Sequence, residues 1–247
     1  SKWATIKRAK GVADARRGQV FTKLAREIIV VVRQGGPNPD GNFKLRLAIQ
    51  RAKDSSMPLE NIERAIKKGS GAAEGAILEE ITYEGYGPGG TAILLQVLTD
   101  NRNRTSSEMR NAFSRGGGNL AEAGSVSWLF EHKGIITANA GGANAEELGL
   151  YAIDMGADDV KIEGDSVEVY TRPEDLEKVR KALEEKKITI TAAELSMMPK
   201  APVELDEKAA LQALKLLDRL EEMDDVQRVF SNANFPDQVL EAYHAGA

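Results

Sequence analysis

The sequence contains no cysteine. Disulfide frameworks, thiolate metal sites and cysteine nucleophiles are therefore excluded, and the composition suits a reducing compartment. Histidine is almost absent. His132 and His244 stand more than a hundred positions apart, without metal-ligand spacing. No G-x-S-x-G motif supports a histidine-based triad, and no G-x-x-x-x-G-K-[ST] loop supports a P-loop nucleotide hydrolase. Aromatics are few, with 6 Phe, 5 Tyr and 2 Trp, so the cores must be aliphatic. The longest apolar run, Ile28–Val32, is five residues. A bilayer span needs ~18–20. No signal-peptide pattern opens the chain, and the expected location is cytoplasmic.

What is present is ordinary in amount but uneven in place. The 247 residues are 42% apolar and 29% charged, which is globular composition. The net charge of −5 conceals a division. Residues 1–70 hold 16 Lys/Arg against 6 Asp/Glu, a net of +10, and residues 71–247 hold 17 against 32, a net of −15. A basic module on an acidic body points to a polyanionic partner.

The spacing predicts a helix over Arg17–Gln34, with Val20, Leu24, Ile28 and Val31 on one stripe and Gly35-Gly36-Pro37 ending it. A second helix starts at Asn42, and a third has Pro58 at its first position and closes at Gly69. So small a helical core is expected either to be mobile or to lean on a partner. Ser70–Ala76 reads as a linker. Residues 77–99 alternate like a hairpin around the Gly85–Gly90 turn. Thr105–Glu108 has the pattern of a capping box that opens a helix ending at Gly116, and Ser125–Phe130 reads as a strand. Residues 133–200 then run βαββαβ, the ferredoxin-like order. A helix over Leu205–Glu222 and a strand over Val226–Phe230 have no partner nearby. They complete the sheet of the earlier ββαβ if the chain returns to it. The tail after Asn234 looks short and irregular. The expected class is α+β, an N-terminal three-helix domain plus two ferredoxin-like sandwich domains, one inserted in the other. The domains are expected at 1–72, at 77–132 with 203–234, and at 133–202.

Few constellations carry chemistry. Gly85, Gly87 and Gly90 satisfy G-x-G-x-x-G, but the residues that follow read as strand rather than helix. Pro88 removes an amide donor, and no acid stands at the ribose position. A glycine hairpin turn explains them better. The acidic pairs Glu79-Glu80, Asp158-Asp159 and Asp224-Asp225 fall at element edges and read as solvated. The basic module is the main signal. Its candidate nucleic-acid-binding residues are Lys2, Trp3, Lys7, Arg8, Lys10, Arg16, Arg17, Lys23, Arg26, Arg46, Arg51, Lys53, Arg64, Lys67 and Lys68. Lys and Arg attract phosphate, and Trp3 is a candidate either to stack on a base or to insert at a partner surface. The plainer alternative is a solvated basic face with one core tryptophan. Arg102, Asn103 and Arg104 form a second anion-binding candidate where a strand meets a helix N-terminus. Its alternative is helix capping by Asn103 or Thr105, with Arg102 paired to a glutamate.

Ser1–Lys7, Phe21–Leu24, Met57-Pro58, Asn61–Gly69, Tyr83–Gly90 (YEGYGPGG) and Thr99–Arg104 (TDNRNR) resemble the YebC/PmpR family over nearly the whole chain. The resemblance implies helical N-terminal and two α/β domains, with no enzyme activity. Bacterial members are described as probable transcriptional regulators that bind DNA. Related mitochondrial members look like translational activators, and some bacterial relatives act at the ribosome. Members usually carry a Gly-His pair ahead of Ser-Lys-Trp, so residues before Ser1 are expected. Asn111 and Gly116 stand where relatives often have histidine.

The expectation is a non-enzymatic regulator that binds DNA in transcription control. The alternative is a ribosome- or rRNA-associated translation factor. No base-reading helix-turn-helix stands out, which weakens specific DNA readout. No cofactor, metal, membrane or small-molecule substrate is expected, and the oligomeric state is open.

Overall fold

Leu24, Ile28 and Val32 line the buried side of a helix over Asp14–Gly35 (α1) in the computed structural model, which describes residues 14–71, 77–142 and 144–245. The helix starts three residues ahead of the expected Arg17. Gly36 ends it with φ 87°, its N–H donating to the Val32 carbonyl at 2.8 Å. Asn42 caps the next helix, Phe43–Asp54 (α2), by accepting from Leu45 N at 3.1 Å. Pro58 precedes the third, Leu59–Ser70 (α3). Gly69 lets α3 approach α1, since a Cβ there would stand 2.8 Å from Val32 Cβ.

Two strands, Glu79–Tyr86 (β1) and Ala92–Thr99 (β2), pair antiparallel from Glu79↔Thr99 to Tyr86↔Ala92. Between them Pro88–Gly90 forms a single 3-10 turn, with Gly89 and Gly90 at φ 71° and 75°. Helix Arg102–Arg115 (α4) follows, then strand Asn119–Ala121 (β3), which pairs with β1. Residues 125–130 depart from the strand expected there. Ser127–Leu129 is a 3-10 turn, and the neighbour of β1 is β3 instead. The cause is Glu84, whose carboxylate gathers the N–H groups of this loop and leaves them unavailable to a ladder.

Strand Phe130–Asn139 (β4), helix Ala145–Asp154 (α5), strands Asp159–Glu163 (β5) and Ser166–Thr171 (β6), helix Leu176–Glu185 (α6) and strand Thr189–Pro199 (β7) complete the βαββαβ run. The sheet order β5-β6-β4-β7 is that of a ferredoxin-like sandwich. Val203–Glu204 (β8), Glu207–Glu222 (α7), Val226–Ser231 (β9), Ala233–Asn234 (β10) and Asp237–Ala245 (α8) close the chain. The last is a correction to the irregular tail: Val239 and Leu240 are buried, and their burial holds the helix. Strand β9 pairs with β2, giving the order β3-β1-β2-β9, and β8 pairs with β10. The fold is α+β, with helices at the N-terminus and two ferredoxin-like sandwiches, one inserted in the other.

By contacts the chain divides into two compact units. The first comprises residues 1–23, 72–131 and 198–247, and the second residues 24–71 and 132–197. The core of the first is aliphatic around Phe113, with Ile93, Leu95 and Val97 of β2 under Met109 of α4 and Leu214 and Leu217 of α7. In the second, Leu47 of α2 joins Ile136, Val167, Val169, Leu176, Val179 and Leu183 in one core, with Phe43 packed against it. Helix α2 thus shares the core of the inserted sandwich, which supplies apolar burial the small helical module lacks alone.

Candidate nucleic-acid interface

The burial pattern of α2 and α3 decides which cations face water. Leu45, Leu47, Ala48 and Ala52 take the inner face of α2, which turns Lys44 and Lys53 outward. Ile62, Ala65 and Gly69 do the same for α3, leaving Arg64, Lys67 and Lys68 exposed. Arg64 pairs with Glu60 at 2.6 Å across one helical turn, an exposed pair. The side chains of Lys44, Lys53, Lys67 and Lys68 meet no carboxylate among the described residues.

Two arginines of the same module are spent on structure. Arg51 Nη1 donates to both carboxylate oxygens of Glu27, at 2.8 and 2.7 Å. Arg46 donates to the carbonyls of Pro39 and Asp40 and to Glu177 Oε2 at 2.6 Å, and stacks on Phe43 at 5.7 Å. Burial raises the Glu177 carboxyl, but Arg46, with Lys181, outweighs that and holds it below its ordinary value. On α1, Lys23 donates to the Glu221 carbonyl, and Arg17 and Arg26 have interactions of their own. Lys2, Trp3, Lys7, Arg8 and Lys10 lie outside the described residues, as does the side chain of Arg16.

The second candidate, Arg102–Arg104, is built as a joint. Asn101, not Asn103 or Thr105, caps α4 by accepting from Arg104 N at 3.0 Å. Arg102 pairs with Glu79 at 3.2 Å, and Arg104 Nη2 bridges Asp100 at 2.9 Å and Asp225 at 3.0 Å. Thr105, expected as a cap, is instead buried inside the helix, and its hydroxyl lies 2.7 Å from Asp225 Oδ2. Asp225 itself is 6% exposed, which corrects the reading of the Asp224-Asp225 pair as solvated. A carboxylate 120 positions away in sequence gave no local sign of this role.

One site escaped the sequence altogether. Glu84 is buried in β1 and accepts from the N–H groups of Gly124, Val126 and Ser127 at 2.5, 2.9 and 2.6 Å. Burial raises its carboxyl, but these donors prevail and hold it below the ordinary value. The glycines of the preceding motif are structural. A Cβ at Gly85 would meet Phe113 Cε1 at 2.5 Å, and β2 rather than a helix follows the turn. No group of three or more His, Asp or Glu residues is placed to hold a metal among the described residues. No helix among them is long and apolar enough to cross a membrane.

Basic helices joined to two ferredoxin-like sandwiches define a class of multi-domain α+β proteins with unevenly distributed charge. The model of the TACO1/YebC protein N-terminal domain matches residues 1–72, and that of the TACO1/YebC second and third domain matches residues 78–233. The chain belongs to the TACO1/YebC family. A probable transcriptional regulatory protein from Dehalococcoides mccartyi is 61% identical over 247 residues, all of this chain and 98% of that one. One of the same description from Moorella thermoacetica is 52% identical over 98% of this chain and 97% of its own. A crystal structure of a conserved hypothetical protein from Aquifex aeolicus superposes with a TM-score of 0.83 at 50% identity, covering 91% of this chain and 93% of that one. The names of the relatives are those of regulators.

Proposed function

We propose that this regulatory protein acts by binding DNA through phosphate contacts from α2 and α3, in the control of transcription and without catalysis. The observation that carries the reading is the set Lys44, Lys53, Lys67 and Lys68, which are exposed and unpaired with carboxylates among the described residues, in a segment of net +10. A net of −15 over residues 71–247 opposes a polyanion, so the basic helices are the primary point of contact. Lysines meet phosphate as point charges, which gives affinity without sequence readout. The names of the relatives supply the transcriptional setting.

Fluorescence anisotropy of a short labelled DNA duplex, titrated across a salt series, tests this. The K53E/K67E/K68E variant should bind all sequences more weakly, and each lost phosphate contact should lower the salt slope by about 0.9. Unchanged binding would overturn the assignment of this face. Sedimentation of lysate separates the two polyanions. Comigration with ribosomes that survives DNase and is lost with RNase would move the target from DNA to ribosomal RNA.

A further inference from the structure

Helix α4 has two faces of opposite character. Thr105, Met109, Ala112 and Phe113 point inward and are buried. Asn103, Ser107, Arg110, Asn111, Ser114 and Arg115 are exposed along the opposite stripe, at i, i+4, i+7, i+8, i+11 and i+12. Every one of these six side chains is a hydrogen-bond donor, and the helix carries four arginines against one acid, Glu108. The arginines divide by position. Arg102 and Arg104 are held by carboxylates, while Arg110 and Arg115, further along the helix, have no carboxylate partner among the described residues.

The stripe is also fixed in place. Asn101 caps the first turn, Thr105 ties the second to Asp225, and Met109 and Phe113 are fully buried. At the other end Gly116 N and Gly118 N donate to the carbonyls of Ala112 and Phe113 at 3.0 and 2.9 Å. A rigid helix that presents Arg and Asn combines phosphate pairing with the bidentate groups that read base edges. The lysines of α2 and α3 lack the planar, bidentate groups of Arg and Asn.

We propose that the exposed stripe of α4 is a second DNA contact surface, in which Arg110 and Arg115 hold the phosphodiester backbone and Asn111 contacts a base or sugar. The proposal deepens the nucleic-acid reading given above and rests on it. Its occupant follows from charge: a donor-rich, cationic face in a net-acidic body is complementary to a polyanion.

The test compares R110E/R115E with K53E/K67E/K68E in the full chain. Labelled random-sequence duplex DNA and single-stranded RNA of equal length serve as probes, with thermal melting as the check on folding. R110E/R115E should bind the preferred probe at least tenfold more weakly, with a salt slope lower by one to two units and an unchanged melting point. In the parent, photo-crosslinked nucleotide adducts should map to residues 103–115. N111A, which removes no charge, should weaken binding while leaving the salt slope alone. Parental binding by R110E/R115E, with the lysine variant impaired, would remove α4 from the interface and leave the α2–α3 reading standing. The reverse result would remove α2 and α3 and keep α4. Binding of neither probe by the parent would end both. Loss of RNA binding alone in R110E/R115E, with duplex binding at the parental level, would overturn DNA as the occupant of this face.

Discussion

Thr105 Oγ1 and Asp225 Oδ2 lie 2.7 Å apart, joining the second turn of α4 to the residue before β9. The pair closes the split sandwich at its seam. Thr99 Oγ1 stands 2.8 Å from Thr105 and accepts from Asn101 N at 2.9 Å, so the end of β2, the cap of α4 and the start of β9 share one network. Thr105→Val keeps the shape and removes the donor. A buried carboxylate then loses its hydroxyl partner, which costs about 1–3 kcal/mol. Urea unfolding should show a lower midpoint with an unchanged slope. Asp225→Asn should cost a similar amount. The double variant should cost less than the two singles together, because both break the same contact.

Glu84 makes stability depend on pH. Its folded carboxyl titrates below the ordinary value of 4.5, since three backbone donors favour the charged form over the burial that opposes it. A depressed folded value contributes stability that is fully present above the unfolded value and is lost as pH falls through the folded one. Glu84→Gln should therefore cost about 1.5–3 kcal/mol near neutrality. The gap between parent and variant should narrow only below pH 4.5. Unfolding midpoints collected from neutral pH downward check this, and a gap constant through that window would refute it.

Arg46 and Glu177, 2.6 Å apart, fasten α2 to α6 within the second unit. Arg46→Ala, Glu177→Ala and the double variant form a cycle whose coupling should be about 0.5–3 kcal/mol. The same arginine also holds the loop at Pro39 and Asp40, so Arg46→Ala should cost more than Glu177→Ala. Nucleic-acid binding should change little, because the guanidinium is already paired. A large loss of affinity in Arg46→Lys, with stability intact, would return this residue to the binding surface.

Local patterning explains what could be read in the sequence. Periodicity of 3.6 and of 2 placed α1–α3, the β1–β2 hairpin and the βαββαβ run, because each buries one regular face. Lys53, Lys67 and Lys68 were legible as cations, and their exposure followed from the apolar spacing beside them. Arg46 and Arg51 were not separable from them, since their partners Glu177 and Glu27 lie 131 and 24 positions away. Thr105–Glu108 imitated a capping box, yet Asn101 took the cap because Asp225 drew Thr105 into the core. The β3 strand was too short for any period to register, and Glu84 was one acid in an alternating strand. The helix at Asp237–Ala245 was hidden by its shortness, since burial of Val239 and Leu240 rather than propensity fixes it.

Gly85 settles what the glycine-rich turn is for. It sits inside β1, paired with Ile93 on one side and Leu120 on the other. A Cβ there would lie 2.5 Å from Phe113 Cε1 and 2.8 Å from the Asn119 carbonyl, closer than packed atoms approach. Phe113 is fully buried and cannot swing away without moving α4. Gly85→Ala should therefore destabilise by about 1–3 kcal/mol through overpacking. The pairing Phe113→Leu should recover part of that loss, by giving up the ring edge that collides. Gly90→Ala is a useful contrast. No atom lies within 4 Å of its Cβ position, but φ of 75° strains any other residue. Its cost should be about 1 kcal/mol and should not respond to Phe113→Leu. Thermal melting of the three single and two double variants measures this. Equal rescue of both glycine variants would mean that backbone strain, rather than the contact with Phe113, governs the turn.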